Sequence, residues 1–223
     1  MFPLRDNIES QNLPIVTWII MALNVFAFLI ELSVGSQIEP FLQHYGLVPA
    51  DFLSHLGPAQ SLDVLSSMFL HAGWGHLIGN MWFLYIFGDN VEDRMGHFRY
   101  LLFYIITGTC AALSQVFITP DSHIAMVGAS GAISGILGSY LIFYPGARVL
   151  SIMPMGGYSR SVELPAIYFL GLWFIMQLFT GVMPLAAGMD QDAGGVAFWA
   201  HVGGFISGAV LAKLFDRNPQ RSD

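Results

Sequence analysis

The sequence specifies an all-α, polytopic membrane protein built as a bundle of six spanning helices, and three observations carry that expectation. The 223 residues are 55% hydrophobic with a mean hydropathy of +0.61. Only 10% are charged, where a soluble domain carries about a quarter, so no room is left for a large soluble domain. Six apolar stretches approach the roughly 20 residues that cross a bilayer, and the eight Lys and Arg residues fall in four segments that alternate with them.

The elements follow in order. A polar tail, 1–13, holds Arg5, Asp6 and Glu9. The first span, 14–35, is long enough to cross and lacks a small-residue cleavage site after it, so it reads as a retained helix rather than a signal peptide. Its Asn24 is expected to bond a neighbouring helix, and Glu31 lies near its end. The connection 36–64 mixes Pro40, Pro49 and Pro58 with Phe41, Phe52 and Leu53. Apolar residues without a span-length run predict an interfacial loop with short amphipathic helices, and such length in a connection is often functional.

The second span, 72–88, carries His76 and Asn80, with His71 at its mouth; polar groups in a span are costly and mark function by default. Residues 89–99 read as a charged loop. The third span, 100–118, contains the single Cys110, which has no disulfide partner and no metal-site spacing. After a short turn comes the fourth span, 124–144, ended by Pro145. Residues 146–162 read as a loop. The fifth span, 163–181, takes Pro165 into its first turn, and a Gly/Asp loop, 182–195, follows with a solvated Asp190 and Asp192. The sixth span, 196–215, carries His201, and 216–223 is a second tail.

Orientation follows from charge. Arg5, then Arg94 and Arg99, then Arg148 and Arg160, then Lys213, Arg217 and Arg221 all lie on one side of a six-span chain. The excess of Lys and Arg on the cytoplasmic side places both termini there and the long first connection outside. The second, fourth and sixth spans then descend from the outer face, with His76, Ser130 and His201 roughly 5–10 Å below it at 1.5 Å per residue.

Those three groups suggest a reaction. Gly128-Ala129-Ser130-Gly131 alone is a common packing pattern of membrane helices. The sixth span, however, lines up His201, Gly204, Gly208 and Ala212 on one face, and the fourth lines up Ser130, Ser134 and Gly138. Two such seams allow close approach, bringing Ser130 toward His201. A serine hydroxyl becomes a useful nucleophile with a base at about 2.6–3.2 Å. No carboxylate in the spans is placed to orient the histidine, so the expected unit is a Ser-His dyad. His76 and Asn80 share a helix face and, with the Ser130 N–H, can cradle the oxygen of a tetrahedral intermediate. His71 is expected to bond first-loop backbone. On a helix His71 and His76 stand about 140° apart, which disfavours a metal or haem site; no metal and no cofactor is expected. The net charge of −7 and the lack of a basic cluster give no sign of nucleic-acid binding.

The set His71-x4-His76-x3-Asn80, Gly128-Ala-Ser130-Gly131 and Ala200-His201-x2-Gly204 resembles the rhomboid family of intramembrane serine proteases in its bacterial, six-span form. The likeness covers nearly the whole chain, including Glu92-Asp93-Arg94 after the second span. It implies a serine endopeptidase that cleaves single-span membrane proteins in or near their membrane helix. By position Ser130 corresponds to the nucleophile and His201 to the general base. His76, Asn80 and the Ser130 N–H correspond to the oxyanion hole, and the fifth span, with Trp173 and Phe174, to a lateral gate. Trp173 and Phe174 read by themselves are lipid-facing or packing residues. The resemblance further implies the bacterial inner membrane, an active site opening to its outer face, and the lipid bilayer and substrate helices as partners. Two positions depart from the family: Leu62 and Asp63 stand where a Trp-Arg pair is frequent, and Ser134 stands where some members carry a tyrosine against the histidine. A catalytically silent relative that binds spans, and a small transporter or channel, are the competing readings. The latter calls for repeats or midplane charges that the sequence lacks.

Overall fold

The computed structural model describes residues 1–54, 57–186 and 197–217. Helix α1, Ile15–Val34, turns through a 3₁₀ segment, Gly35–Gln37, into α2, Ile38–Tyr45. Short helices α3, Pro49–Ser54, and α4, Pro58–Ser67, complete the first connection. Then come α5, Trp74–Met95; α6, His97–Ile118; α7, Ser130–Phe143; α8, Ala166–Ala186; and α9, Phe198–Phe215. Among the described residues four helical stretches are long and apolar enough to cross a membrane: Ile15–Tyr45, His97–Ile118, Ala166–Met183 and Phe198–Phe215. With α5 and the shorter apolar α7 they form a polytopic helical bundle.

Helix α7 is the hub, packed against α5, α6, α8 and α9. Its small residues make this possible. A Cβ on Gly204 would fall on the carbonyl oxygen of Gly131, one on Gly208 on that of Gly135, and one on Gly138 on that of Phe205. The α7 and α9 backbones are therefore in direct contact, as small residues permit between membrane helices.

This helix corrects the span expected over 124–144. It begins only at Ser130 and has 14 residues, about 21 Å of rise against a hydrocarbon core of about 30 Å. Gly128, at φ +128°, holds a conformation that helix cannot continue through. The backbone ahead of Ser130 is satisfied elsewhere: Leu47 and Met126 exchange N–H···O bonds of 3.1 and 2.8 Å, and Gly128 N–H donates to Ser67 O at 2.8 Å. Non-helical backbone at membrane depth is tolerated only when paired within the protein. Ser130 thus opens a helix instead of lying within one.

The second span also differs. Helix α5 runs on to Met95, and the segment expected as a charged loop is mostly helical and buried, because each charge has a partner. Glu92, 1% exposed, accepts from Val16 N–H (2.8 Å), Thr17 N–H (2.7 Å) and Thr17 Oγ1 (2.7 Å), capping the first turn of α1. A carboxylate there meets the positive end of the helix dipole. Asp93 accepts from the main chain of Gln11 and Asn12, and Arg94 pairs with Asp216 at 3.0 Å. Only Gly96, at φ +79°, separates α5 from α6.

At the basic end lies a small antiparallel sheet within this predominantly helical fold. Strands β1, Phe2–Arg5, β2, Arg148–Met155, and β3, Tyr158–Pro165, are ordered β1-β2-β3, with Phe2 opposite Ile152 and Val149 opposite Leu164. The expected loop 146–162 is therefore largely a hairpin, turned by Gly156 and Gly157 at φ +48° and +107°. Glycine pairs of this kind match strand twist in two-residue turns. The tail is likewise ordered: Trp82 Nε1 donates to Pro3 O at 2.6 Å and stacks on Phe2. Pro165 ends β3, where a missing N–H costs little, rather than starting the fifth span, and α8 extends to Ala186. The loop residues Asp190 and Asp192, and the tail from 218 onward, lie outside the described residues.

Candidate active site

Three helix ends meet at one place. Ser130 is the first residue of α7, so its N–H belongs to the first-turn donors that have no intrahelical acceptor. These amides and the helix dipole favour negative charge. His201 lies in the first turn of α9. That turn is fixed by Gln115 of α6, whose Oε1 accepts from Trp199 N–H at 3.0 Å and Ala200 N–H at 3.2 Å. The α7–α9 glycine contacts then set the distance between the two side chains: His201 Nε2 and Ser130 Oγ are 2.8 Å apart.

The third end is the start of α5. His76 Nδ1 accepts a long bond from Ala72 N–H, 3.4 Å, which leaves Nε2 as the protonated nitrogen. Its ring packs against Gly128: a Cβ there would come within 2.7 Å of Cε1 and Nε2. Asn80 donates one Nδ2 hydrogen to His71 Nε2 at 2.9 Å and keeps the other. His71 Nδ1 faces Phe69 O at 3.2 Å, and the His71 N–H is taken by both oxygens of buried Glu31.

His71 thus meets main chain not in the expected loop 36–64 but at Phe69, between α4 and α5, and also holds Asn80. It stands before α5 begins, so helical phase does not separate it from His76; the two rings meet edge to face at 5.1 Å. Among the described residues no group of three or more His, Cys, Asp or Glu is arranged to hold a metal ion.

Ser130, His76, Asn80 and His201 line one cavity of about 460 Å³ between α5, α7, α8 and α9. Phe83, Ile133, Leu137 and Trp173 supply its apolar wall. A second space of about 270 Å³ shares Ala72, His76, Val127 and Ala197 with it and continues toward Glu39, Gln115, Thr119 and Ser122. The first space suits a peptide segment, and the second, more polar one suits water.

The two departures resolve locally. Leu62 is exposed, and Asp63 lies beside His44; burial pushes its carboxyl up against the opposing effect of that imidazole. The first loop is tied instead by Ser66 Oγ to Tyr45 O at 2.6 Å and by the Glu31–His71 bond. Ser134 Oγ turns back onto Ser130 O at 2.6 Å. The rings against the histidine are Trp173 of α8, centroids 6.0 Å apart, and Phe198 of its own helix, 6.5 Å and edge to face. Gln177, which sequence reasoning passed over, meets His201 Nδ1 through Oε1 at 2.8 Å. Its one legible signal was being a polar residue inside an apolar span.

The Rhomboid domain family model matches residues 58–218. The chain is 27% identical over 209 residues to "Rhomboid-like protein 11, chloroplastic" of Arabidopsis thaliana, covering 89% of this chain and 68% of that one. It is 26% identical over 190 residues to "Rhomboid protein 1, mitochondrial" of Saccharomyces cerevisiae, covering 81% and 49%. It is 34% identical over 149 residues to "RHOMBOID-like protein 4" of Arabidopsis thaliana, covering 66% and 32%. The chain thus spans from 32% to 68% of the length of these relatives, all of them eukaryotic.

Proposed function

This chain belongs to the rhomboid family, known for intramembrane proteolysis, and from that premise we propose that it is an intramembrane serine endopeptidase working through Ser130 and His201. The observation that carries the reading is the 2.8 Å approach of Ser130 Oγ to His201 Nε2 at a helix N-terminus inside a cavity.

In this reading His201 Nε2 accepts the Ser130 proton as Oγ attacks the scissile carbonyl. The oxyanion that forms takes hydrogen bonds from the Ser130 N–H, His76 Nε2–H and the second Nδ2 hydrogen of Asn80. Such donors contribute most where charge develops, and losing one commonly costs about 10²–10³ in rate. The protonated His201 then delivers its proton to the leaving amine. Water arriving through the polar space beside His76 resolves the acyl-enzyme, with His201 again as base.

Substrates are membrane proteins whose single span reaches the cavity between α5 and α8 and unwinds there. Gly75 and Gly79 line that opening, with nothing near where their Cβ atoms would stand. A substrate helix with Gly, Pro or small polar residues exposes its backbone at lower cost than an apolar one. The protein is integral to a membrane. We assign the sheet-bearing, arginine-rich end to the cytoplasmic or equivalent side and the cavity mouth to the opposite one.

The test is incubation of wild type, Ser130→Ala and His201→Ala with a fluorophosphonate and with a panel of single-span substrates, followed by mass mapping. Ser130 labelling and cleavage in wild type, both lost in each variant, is the expected result. A wild type that neither labels nor cuts in lipid rules the protease out.

A further inference from the structure

We infer that Gln177 is a positioning residue for His201 and that it makes the orientation of the base depend on the seat of α8 against α9. The inference rests on the protease reading of Ser130 and His201. Gln177 Oε1 stands 2.8 Å from His201 Nδ1, bridging 24 residues of chain from α8 to α9. An amide oxygen only accepts, so Nδ1 carries the ring proton and Nε2 turns its lone pair to Ser130 Oγ. Neutral imidazole has two tautomers, and this bond selects the one that can take a proton from serine. When the proton moves, the ring becomes a cation and the Nδ1–H bond becomes charge-assisted and stronger. The contribution of Gln177 therefore falls on the transition state more than on substrate binding.

The placement of Gln177 adds the second half. Trp173, Gln177 and Gly181 stand at i, i+4 and i+8 on α8, one stripe. Trp173 packs against the His201 and Phe205 rings. Gly181 lies on Trp199, where a Cβ would come within 3.3 Å of the indole. Beside the stripe Phe174 stacks on Phe205, while the face carrying Leu172, Ile175, Met176 and Phe179 is apolar and exposed. An outward shift of α8 by one or two ångströms carries the amide beyond hydrogen-bond range and frees the imidazole to rotate.

The test uses the full chain in lipid vesicles cutting a single-span substrate over a range of pH, with melting temperature measured alongside. Gln177→Leu should lower kcat about 10- to 100-fold, the worth of a hydrogen bond to a charged group, with KM within about twofold. Gln177→Glu should keep most of kcat and move the acidic limb of the pH–rate profile to higher pH, because a carboxylate favours the imidazolium. Gly181→Leu, which levers α8 off Trp199, should reproduce the kcat loss, and adding Gln177→Leu to it should cost little more. Wild-type kcat in Gln177→Leu, or an unmoved acidic limb in Gln177→Glu, overturns the positioning role. Fully additive losses in the double variant overturn the dependence on α8. An inactive wild type that does not label at Ser130 instead removes the protease reading itself.

Discussion

The carboxylate of Glu31 accepts the main-chain N–H of His71 with both oxygens, at 3.1 and 3.2 Å, across 40 residues of chain. The acid is 2% exposed. It fixes the residue whose ring holds Asn80, so a group on α1 reaches the candidate oxyanion site through two hydrogen bonds.

Glu31→Ala leaves the buried His71 N–H without an acceptor, a cost of about 1–3 kcal/mol, and releases the His71–Asn80 pair. A lower melting temperature together with a fall in kcat is expected. Glu31→Gln keeps an acceptor oxygen and should recover most of both. Thermal unfolding and cleavage kinetics on the same samples check this; equal behaviour of the two variants would show that the acceptor is not what matters.

The α7–α9 contact yields a sharper expectation. Leucine at Gly204 or Gly208 must displace main chain of α7 rather than a flexible side chain. Overpacking typically costs about 1–3 kcal/mol and more when the neighbour cannot yield. Both variants should unfold at clearly lower temperature or fail to accumulate, while Ile206→Leu, on the exposed face of the same helix, should match wild type. A stable Gly204→Leu protein would contradict direct backbone contact.

The same glycines make part of the arrangement legible in the sequence. Small residues in phase with His201 and Ser130 are visible in sequence, because helical period is local information. The start of α7 was not visible, since hydropathy runs unbroken through 124–144 and does not register the positive φ of Gly128. The burial of Glu92 and Asp93 is hidden for another reason: apart from His97, the partners shown for them are donors of residues 11–17, and no local pattern announces a distant helix end seeking an acceptor. The hairpin does carry a signal, the Gly156-Gly157 pair, which the reading of 146–162 as a loop leaves unused. Gln177 was missed because its partner lies across a whole connection, and one polar residue in an apolar span fits many roles.

A pH dependence follows from Asp6. Its carboxylate accepts from Asn90 Nδ2 at 2.8 Å and from the Tyr140 hydroxyl. Burial pushes the Asp6 carboxyl up to about 6, Tyr140 opposing and the nearby Asp89 adding to the rise. A carboxyl with a raised folded-state pKa binds more protons folded than unfolded between about pH 4 and 6. Its contribution is complete below that window and lost as pH rises through it, on the order of 1–3 kcal/mol. Melting temperature should therefore fall from pH 4 to pH 6.5 in wild type by more than in Asp6→Asn, which does not titrate. Parallel curves for the two proteins would remove Asp6 as the cause.

Gly128→Ala tests how His76 is held. The substitution places a side chain at φ +128° and a Cβ within 2.7 Å of His76 Cε1 and Nε2. Backbone strain of this kind costs about 1–3 kcal/mol, and the imidazole must swing away from Ser130. If His76 is the oxyanion donor proposed above, its loss lowers rate by about 10²–10³, and Gly128→Ala should fall in kcat nearly as far as His76→Ala, with a smaller change in KM. The two losses should not add. Once the ring is gone the new methyl has space, and Gly128→Ala with His76→Ala should be no slower than His76→Ala alone by more than a few-fold. Single-turnover cleavage by the three variants decides it, because additive losses would mean that Gly128 acts on Ser130 directly rather than through the histidine.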